Sequence, residues 1–131
     1  MPAIFTVDPR SGVPIYLQLI EQVKRGVVLG TLASGEQLPT VKALALELTV
    51  NPNTVARAYR DLEHDGIIET SPGRGSFVRS NGTASRELRE EVAGPAFDDA
   101  VRAAKGIGLG RDAVRRLFQN TLQRWYPGEE E

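Results

Sequence analysis

The chain has 131 residues and a formal net charge of −1, which argues for one domain, or one domain with a short appendage, and against a histone-like electrostatic binder. The absence of cysteine and the single histidine, His64, exclude disulfides, thiolate metal sites and histidine metal clusters. No run of ~18 apolar residues and no signal peptide are visible, so we expect a cytoplasmic protein that does not associate with membranes.

The N-terminal part of the sequence predicts a short strand followed by an amphipathic helix. Residues 4–7 are rich in β-prone side chains and end at a turn signal in residues 8–9. Pro14 suits the first turn of a helix, and Gly30 ends it. Gly26 inside this helix costs on the order of 1 kcal/mol relative to alanine, so we expect a tight packing contact there. The apolar stripe of the helix consists of Ile15, Tyr16, Leu19, Ile20, Val23 and Val27.

Two short helices joined by a tight turn come next. Thr40 is a good N-cap for the second helix, after a loop at residues 32–39. Residues 49–51 form the turn, and Asn51-Pro52 begins a third helix that ends at residues 65–66. The buried stripes of the two helices are Val41, Leu44, Ala45 and Leu48, and Val55, Ala58, Tyr59 and Leu62.

A hairpin follows the third helix. Residues 67–70 and 76–79 predict two strands, and the turn-rich segment 71–75 joins them. A tight helix-turn-helix followed by a hairpin is typical of the winged helix-turn-helix, a fold that binds DNA.

The outward face of the third helix carries groups that can read DNA. At 100° per residue, four side chains lie opposite the buried stripe: Asn53, Arg57, Arg60 and His64. An asparagine amide can pair with an adenine edge, and an arginine with a guanine edge or a phosphate. No acidic residue occurs between residues 48 and 60, which favours DNA binding, although a merely solvated helix face is the alternative.

Further candidate contacts flank this helix. Lys42 lies in the first turn of the second helix, where the helix dipole disfavours a cation by up to ~1 kcal/mol unless a phosphate is nearby. Arg74 stands at the hairpin tip between two glycines, which let the backbone approach a groove closely. Thr54 and Asn51 could contact phosphate, although capping is the larger role that we expect for Asn51.

The C-terminal part predicts a linker and helices that need a partner. Residues 81–83 are expected to form the linker, and helices are expected at residues 85–93, 95–105 and 111–126, with a kink or break at Gly94-Pro95. These helices cannot enclose a core of their own, so their apolar faces need either the first domain or a second copy of the chain. The candidate dimer contacts are Leu88, Val92, Phe97, Val101, Leu117, Phe118 and Trp125.

The predicted fold class is α+β and mainly helical. Residues 1–80 are expected to form an N-terminal winged helix-turn-helix DNA-binding domain. Residues 81–131 are expected to form a short C-terminal α-helical dimerisation segment with a disordered acidic tail.

Residues 14–79 resemble the winged helix-turn-helix of the GntR family of bacterial repressors. The resemblance is carried by residues 35–45, GEQLPTVKALA, by residues 50–63, VNPNTVARAYRDLE, and by residues 73–78, GRGSFV. The segment NPNTV, with PIYxQ ahead of it, is similar to the YtrA subfamily, whose short two-helix C-terminal segment dimerises. The resemblance implies a homodimeric repressor that binds double-stranded operator DNA without a cofactor. Subfamily members commonly sit beside transporter genes, which implies control of export or envelope stress.

The family's DNA contacts carry over only where positions match. Thr40 takes the place of the usual serine and Lys42 that of the usual arginine, and lysine lacks the bidentate fork, so a phosphate role is implied. Pro52 stands where some members have an arginine, and Arg57 is the candidate replacement. Most family members have a large effector domain that we do not expect here, and a small-molecule effector stays open. The candidate DNA contacts are Thr40, Lys42, Asn51, Asn53, Thr54, Arg57, Arg60, Arg74 and Gly75.

A winged-helix protein-interaction module is the alternative function, in which Arg57, Arg60 and Arg74 would be dispensable. An enzyme is not expected, because Asp98 and Asp99 are consecutive helix residues and do not face each other. The glycines of residues 106–110 join two helices rather than a strand and a helix, which does not suit a nucleotide loop.

Overall fold

The computed structural model describes residues 5–79 and 85–128, and it confirms the α+β, mainly helical class. The elements are α1 (Ile15–Leu29), α2 (Val41–Leu48), α3 (Pro52–His64), β1 (Ile68–Ser71), β2 (Gly75–Val78), α4 (Arg86–Gly106) and α5 (Arg111–Trp125). By its internal contacts the chain divides into two compact units, Met1–Val92 and Ala93–Glu131. Among the described helices, none is long and apolar enough to cross a membrane.

The core of the first unit is built around α3. This helix packs against α1, α2 and β1, and its predicted stripe is confirmed, because all four of its members are buried. Burial of these apolar side chains stabilises the fold at roughly 25 cal/mol for each Å² removed from water. The buried core consists of Phe5, Leu19, Ile20, Val23, Leu32, Leu38, Leu44, Ala45, Val55, Ala58, Tyr59, Leu62, Ile68 and Val78.

Gly26 makes the tight contact that its place inside α1 predicts. A Cβ atom on this buried residue would lie 2.8 Å from Cδ1 of the buried Leu32 and 3.2 Å from Oγ1 of Thr31. The backbone N–H of Leu32 donates to the Gly26 carbonyl at 3.1 Å. The chain after α1 thus folds back against the helix where only glycine leaves room.

The turn between α2 and α3 contains a strained residue. Thr49 adopts φ 57° and ψ 50°, the left-handed region, and the N–H of Val50 then donates to the Ala45 carbonyl at 3.0 Å. This bond closes the end of α2 in the manner of a Schellman motif. A β-branched residue in this conformation costs roughly 1–2 kcal/mol. The tight three-residue turn predicted at residues 49–51 is confirmed.

The wing contains more pairing than the sequence predicts. β1 and β2 are antiparallel, with Ile68 opposite Val78 and Ser71 opposite Gly75. Residues 35–38, predicted as loop, run beside β2: the N–H of Gly35 donates to the Val78 carbonyl, and that of Leu38 to the Ser76 carbonyl. The predicted loop is confirmed apart from one isolated bridge between Gln37 and Phe77, and the burial of Leu38 in the core brings the backbone next to β2.

The strand predicted at residues 4–7 is not present in residues 5–7, and Ile4 lies outside the described residues. The side-chain amide of Gln22 accepts from the Thr6 N–H and donates to the Thr6 carbonyl. Gln18 makes the same pair of bonds to Asp8, at 2.8 and 2.9 Å. Two glutamines one turn apart on α1 therefore satisfy the backbone groups that a neighbouring strand would otherwise satisfy.

Of the kink or break predicted at Gly94-Pro95, the break is wrong, because α4 continues through both residues to Gly106. Proline removes the hydrogen bond to the carbonyl four residues earlier, that of Glu91. Glu91 and Pro95 are both exposed, so water can take the place of the lost donor. The predicted linker at 81–83 and the acidic tail at 129–131 lie outside the described residues.

Lys24 joins three helices of the first unit. Its ammonium lies 3.4 Å from an Asp65 carboxylate oxygen at the end of α3 and 2.5 Å from a Glu91 oxygen in α4. Burial lowers the pKa of Lys24, but the hydrogen bond and charge of Glu91, with those of Asp65, outweigh it and leave the pKa raised. Lys24 and the buried Leu88 thus hold the first turns of α4 in the first unit. A functional division at residue 80 stays a prediction.

Candidate nucleic-acid interface

The outward face of α3 is polar and accessible. Asn53, Arg57 and Arg60 are exposed, and Thr54 is half-buried. Within residues 5–79 and 85–128, no carboxylate forms an ion pair with Arg57 or Arg60. The same ranges contain no group of three acidic or histidine side chains that could hold a metal ion. The face offers an amide and two guanidiniums, which are hydrogen-bonding groups suited to base edges and phosphates.

The two helix N-termini of the motif are capped by side chains that the sequence also assigned to DNA. Oγ1 of Thr40 accepts from the Ala43 N–H at 3.0 Å, and Oδ1 of Asn51 accepts from the Asn53 N–H at 2.8 Å. The capping role expected for both residues is confirmed. Lys42 is exposed in the first turn of α2, where no acidic side chain accompanies it.

Tyr59 sets the position of α2 relative to α3. It lies on the buried face of α3, and its hydroxyl donates to the Pro39 carbonyl at 2.7 Å. Pro39 directly precedes the Thr40 cap, so this bond ties the start of α2 to the middle of the third helix. Burial raises the pKa of the Tyr59 phenol, which therefore stays protonated as the donor.

We expect Tyr59→Phe to lower the free energy of unfolding by about 1–2 kcal/mol at neutral pH, because the Pro39 carbonyl loses its partner. Because the pKa of Tyr59 is raised in the folded protein, the neutral phenol contributes its full stabilisation below the ordinary tyrosine pKa of 10.0. This stabilisation is lost as the pH rises through the pKa of the folded protein. Urea unfolding should therefore show a smaller gap between the two proteins at pH ~11 than at neutral pH. Tyr126→Phe, at an exposed position, is the control. An undiminished gap at alkaline pH would contradict the assignment of the raised pKa.

Arg57 makes a contact that the sequence does not predict. Its Cζ lies 3.7 Å from the centroid of the Tyr16 ring on α1. The helical pattern placed Tyr16 in an apolar stripe, and the structure shows it half-buried against the core. The helical periodicity of one segment gives no information about contacts between side chains of two different helices. The contact between Arg57 and Tyr16 therefore could not be predicted from the spacing of residues in the sequence.

The wing tip is held by a glutamine that the sequence did not single out. Nε2 of Gln37 donates to the Arg74 carbonyl at 3.0 Å. Gly75, at φ 122°, makes this possible, because a Cβ atom there would lie 2.7 Å from the same nitrogen. The Arg74 side chain is exposed. Gly75 thus has a structural reason to be glycine, and the groove contact predicted for it stays a prediction.

The candidate dimer residues differ in exposure. Leu88 is 8% exposed in the first unit, and Val92 is half-buried. In the second unit the rings of Phe97 and Phe118 pack with their centroids 6.0 Å apart. The exposed members of the set are Phe97, Val101, Leu117 and Trp125. α5, which lies wholly within the described range 85–128, has no buried residue.

Comparisons with known proteins agree with this geometry. The family model described as bacterial regulatory proteins, gntR family, matches residues 15–78. The HTH-type transcriptional repressor YtrA of Bacillus subtilis is 48% identical over 75 residues, which cover 57% of this chain and 58% of that protein. The HTH-type transcriptional regulator Rv1152 of Mycobacterium tuberculosis is 40% identical over 112 residues, which cover 85% of this chain and 88% of that protein.

A similar solved structure contains operator DNA. It is the AraR DNA-binding domain in complex with operator ORX1, with a TM-score of 0.50, 25% identity, and coverage of 59% of this chain and 95% of that one. The aligned relatives are named as transcriptional regulators, in agreement with the helix-turn-helix and wing seen here. The chain therefore belongs to the GntR family of bacterial regulatory proteins, and it is a winged helix-turn-helix transcriptional regulator rather than an enzyme.

Proposed function

We propose that the protein is a repressor that binds a palindromic operator as a homodimer. The observation that carries the proposal is the outward face of α3. It exposes Asn53, Arg57 and Arg60 on a helix whose opposite face is buried. In the helix-turn-helix mode of binding, such a helix enters the major groove and its side chains meet base edges. The operator complex of the similar AraR domain and the repressor name of the similar YtrA protein support this.

The side chains divide between base reading and positioning. The Asn53 amide suits the N6 and N7 groups of adenine, and the Arg60 guanidinium suits guanine O6 and N7. Lys42 provides a point charge for a phosphate, and its place in the first turn of α2 is then favourable. Arg74 at the wing tip is a candidate for the minor groove. The caps made by Thr40 and Asn51 place these helices and add phosphate contacts through their remaining polar atoms.

The dimer is inferred from the second unit. A helix of 15 residues without a buried side chain is marginal by itself, and α5 leaves Trp125 exposed at 73% and Leu117 at 51%. A second copy of the chain would cover this apolar face and bring two copies of α3 to successive major grooves. The half-site centres are then expected ~10 base pairs apart. The similarity to the YtrA subfamily further suggests transporter genes among those controlled.

The proposal is tested by selecting genomic DNA fragments with the purified protein and titrating the best fragment. Arg60→Ala should weaken binding by ~1–3 kcal/mol and relax the preference at one base position, because a bidentate contact is lost. Arg25→Ala removes the same charge from an exposed position on α1 and is the matched control. Equal, weak binding of all fragments by the unmodified protein would sink the proposal and leave a protein-interaction module in its place.

A further inference from the structure

The Arg57 side chain does not extend straight out from α3. At 100° per residue, its Cα lies on the face opposite Val55, the face that exposes Asn53 and Arg60. Its guanidinium nevertheless lies over the ring of Tyr16, with Cζ 3.7 Å from the ring centroid. Tyr16 belongs to the first turn of α1. The charged end of Arg57 is therefore drawn to the boundary between α1 and α3.

The Tyr16 ring, which the Arg57 guanidinium contacts, is held by its packing against the core. Tyr16 is half-buried and packs against the core cluster, which limits the movement of its ring. A guanidinium over an aromatic face is attracted by the negative potential of the ring face. The ring covers one face of the guanidinium and leaves the N–H groups in its plane able to donate. Arg57 is thus held in place with its hydrogen-bond donors still usable.

We propose that Tyr16 is a positioning residue, which holds the Arg57 guanidinium so that it contacts a DNA phosphate rather than a base edge. The inference rests on the proposed function, since it assigns a role within the same DNA interface. When α3 lies in the major groove, its outward face meets the bases and its flanks meet the strand backbones. The guanidinium lies at the flank next to α1, whereas Asn53 and Arg60 remain on the outward face.

The loss of a phosphate contact and the loss of a base contact have different effects on sequence preference and on the salt dependence of binding. We expect Arg57→Ala to weaken binding to the selected operator and to a scrambled duplex of equal length by the same factor. It should also reduce the slope of log K against log salt by about one, because one phosphate contact is lost. A base contact would instead be lost from the operator alone, and the slope would change little.

The role of Tyr16 is tested by stepwise replacement. We expect Tyr16→Leu, which keeps an apolar side chain without a π face, to weaken binding about twofold to fivefold on both duplexes. Tyr16→Phe keeps the ring and should bind as the unmodified protein does. Arg57→Lys keeps the charge without the planar group and should lose a similar factor, at an exposed position that leaves the core intact.

A double-mutant comparison separates positioning from a general effect on the fold. In an Arg57→Ala background, Tyr16→Leu should cause no further loss, whereas in a Lys42→Ala background it should cause the full loss. Equal losses in both backgrounds, or an Arg57→Ala protein whose losses are confined to the operator, would overturn the inference. If the unmodified protein does not prefer its selected operator, the proposed function itself fails, which is a separate result.

Discussion

Replacing Leu117 by glutamate is expected to dissociate the dimer and to lower operator affinity by on the order of 10²–10⁴-fold. This factor is the increase in affinity that arises when two linked modules bind the same DNA. It is lost when each copy of α3 must bind alone. Leu117 is 51% exposed on α5, so a carboxylate at this position is solvated in the monomer. In the proposed interface the same carboxylate would be buried without a partner, which costs several kcal/mol.

The matched control is Gln123→Glu. Gln123 is exposed on the opposite side of α5 from the apolar stripe, and its replacement adds the same charge. Sedimentation should show monomeric Leu117→Glu and dimeric Gln123→Glu, and circular dichroism should show an unchanged first unit in both. A dimeric Leu117→Glu protein with full operator affinity would show that this face of α5 is not the interface.

The second large effect is expected on stability. Leu62 has 0% exposure on α3, where the helix packs against α1, α2 and β1. Leu62→Ala leaves a cavity at the centre of the core and should lower the free energy of unfolding by ~2–5 kcal/mol. The free energy of unfolding of a small domain is about 5–15 kcal/mol, so this substitution removes a large share of it. DNA binding should fall with the folded fraction, although Leu62 itself does not reach the DNA.

Leu46→Ala provides a leucine control in the same motif. Leu46 is 80% exposed on α2, so its truncation should change stability by no more than ~0.5 kcal/mol. Urea unfolding of both variants, followed by circular dichroism, gives the two values directly. Similar costs for the two substitutions would contradict the packing of α3 described here.

The parts of the fold that follow from local patterns were predictable from the sequence. The caps at Thr40 and Asn51, the turn between α2 and α3, and the buried stripe of α3 each depend on residues within one segment. The tight contact at Gly26 was predictable for the same reason, since a glycine inside a helix needs a compensating gain. These features agree with the structure because local preference and tertiary packing favour the same conformation.

The features that were not predictable depend on partners far apart in the sequence. Residues 5–7 have strand propensity, but the amides of Gln18 and Gln22 on α1 replace a neighbouring strand. Residues 35–38 have no strand pattern, yet they pair with β2 because Leu38 is drawn into the core. The contact between Arg57 and Tyr16 belongs to the same class. Side chains on one helix can be placed by periodicity, whereas contacts between helices need their relative position.

Pro95 shows a different reason why the end of a helix could not be predicted from the sequence. Proline disfavours a helix interior by ~3 kcal/mol, but the cost depends on whether the freed carbonyl can find water. On the exposed part of α4 it can, so the helix continues to Gly106. A single-residue preference therefore predicts a break only when the surrounding exposure is also known.

The strained threonine between α2 and α3 has an evolutionary consequence. Thr49 occupies the left-handed region, where glycine and asparagine carry less steric cost. Two of the four threonine codons, ACC and ACT, become asparagine codons by one nucleotide substitution, and from either of them a more stable turn is one mutation away. Such a gain would offset the cost of a destabilising change elsewhere in the motif. From such a codon, the turn offers a mutational reserve on which changes of α3 toward a new operator could draw.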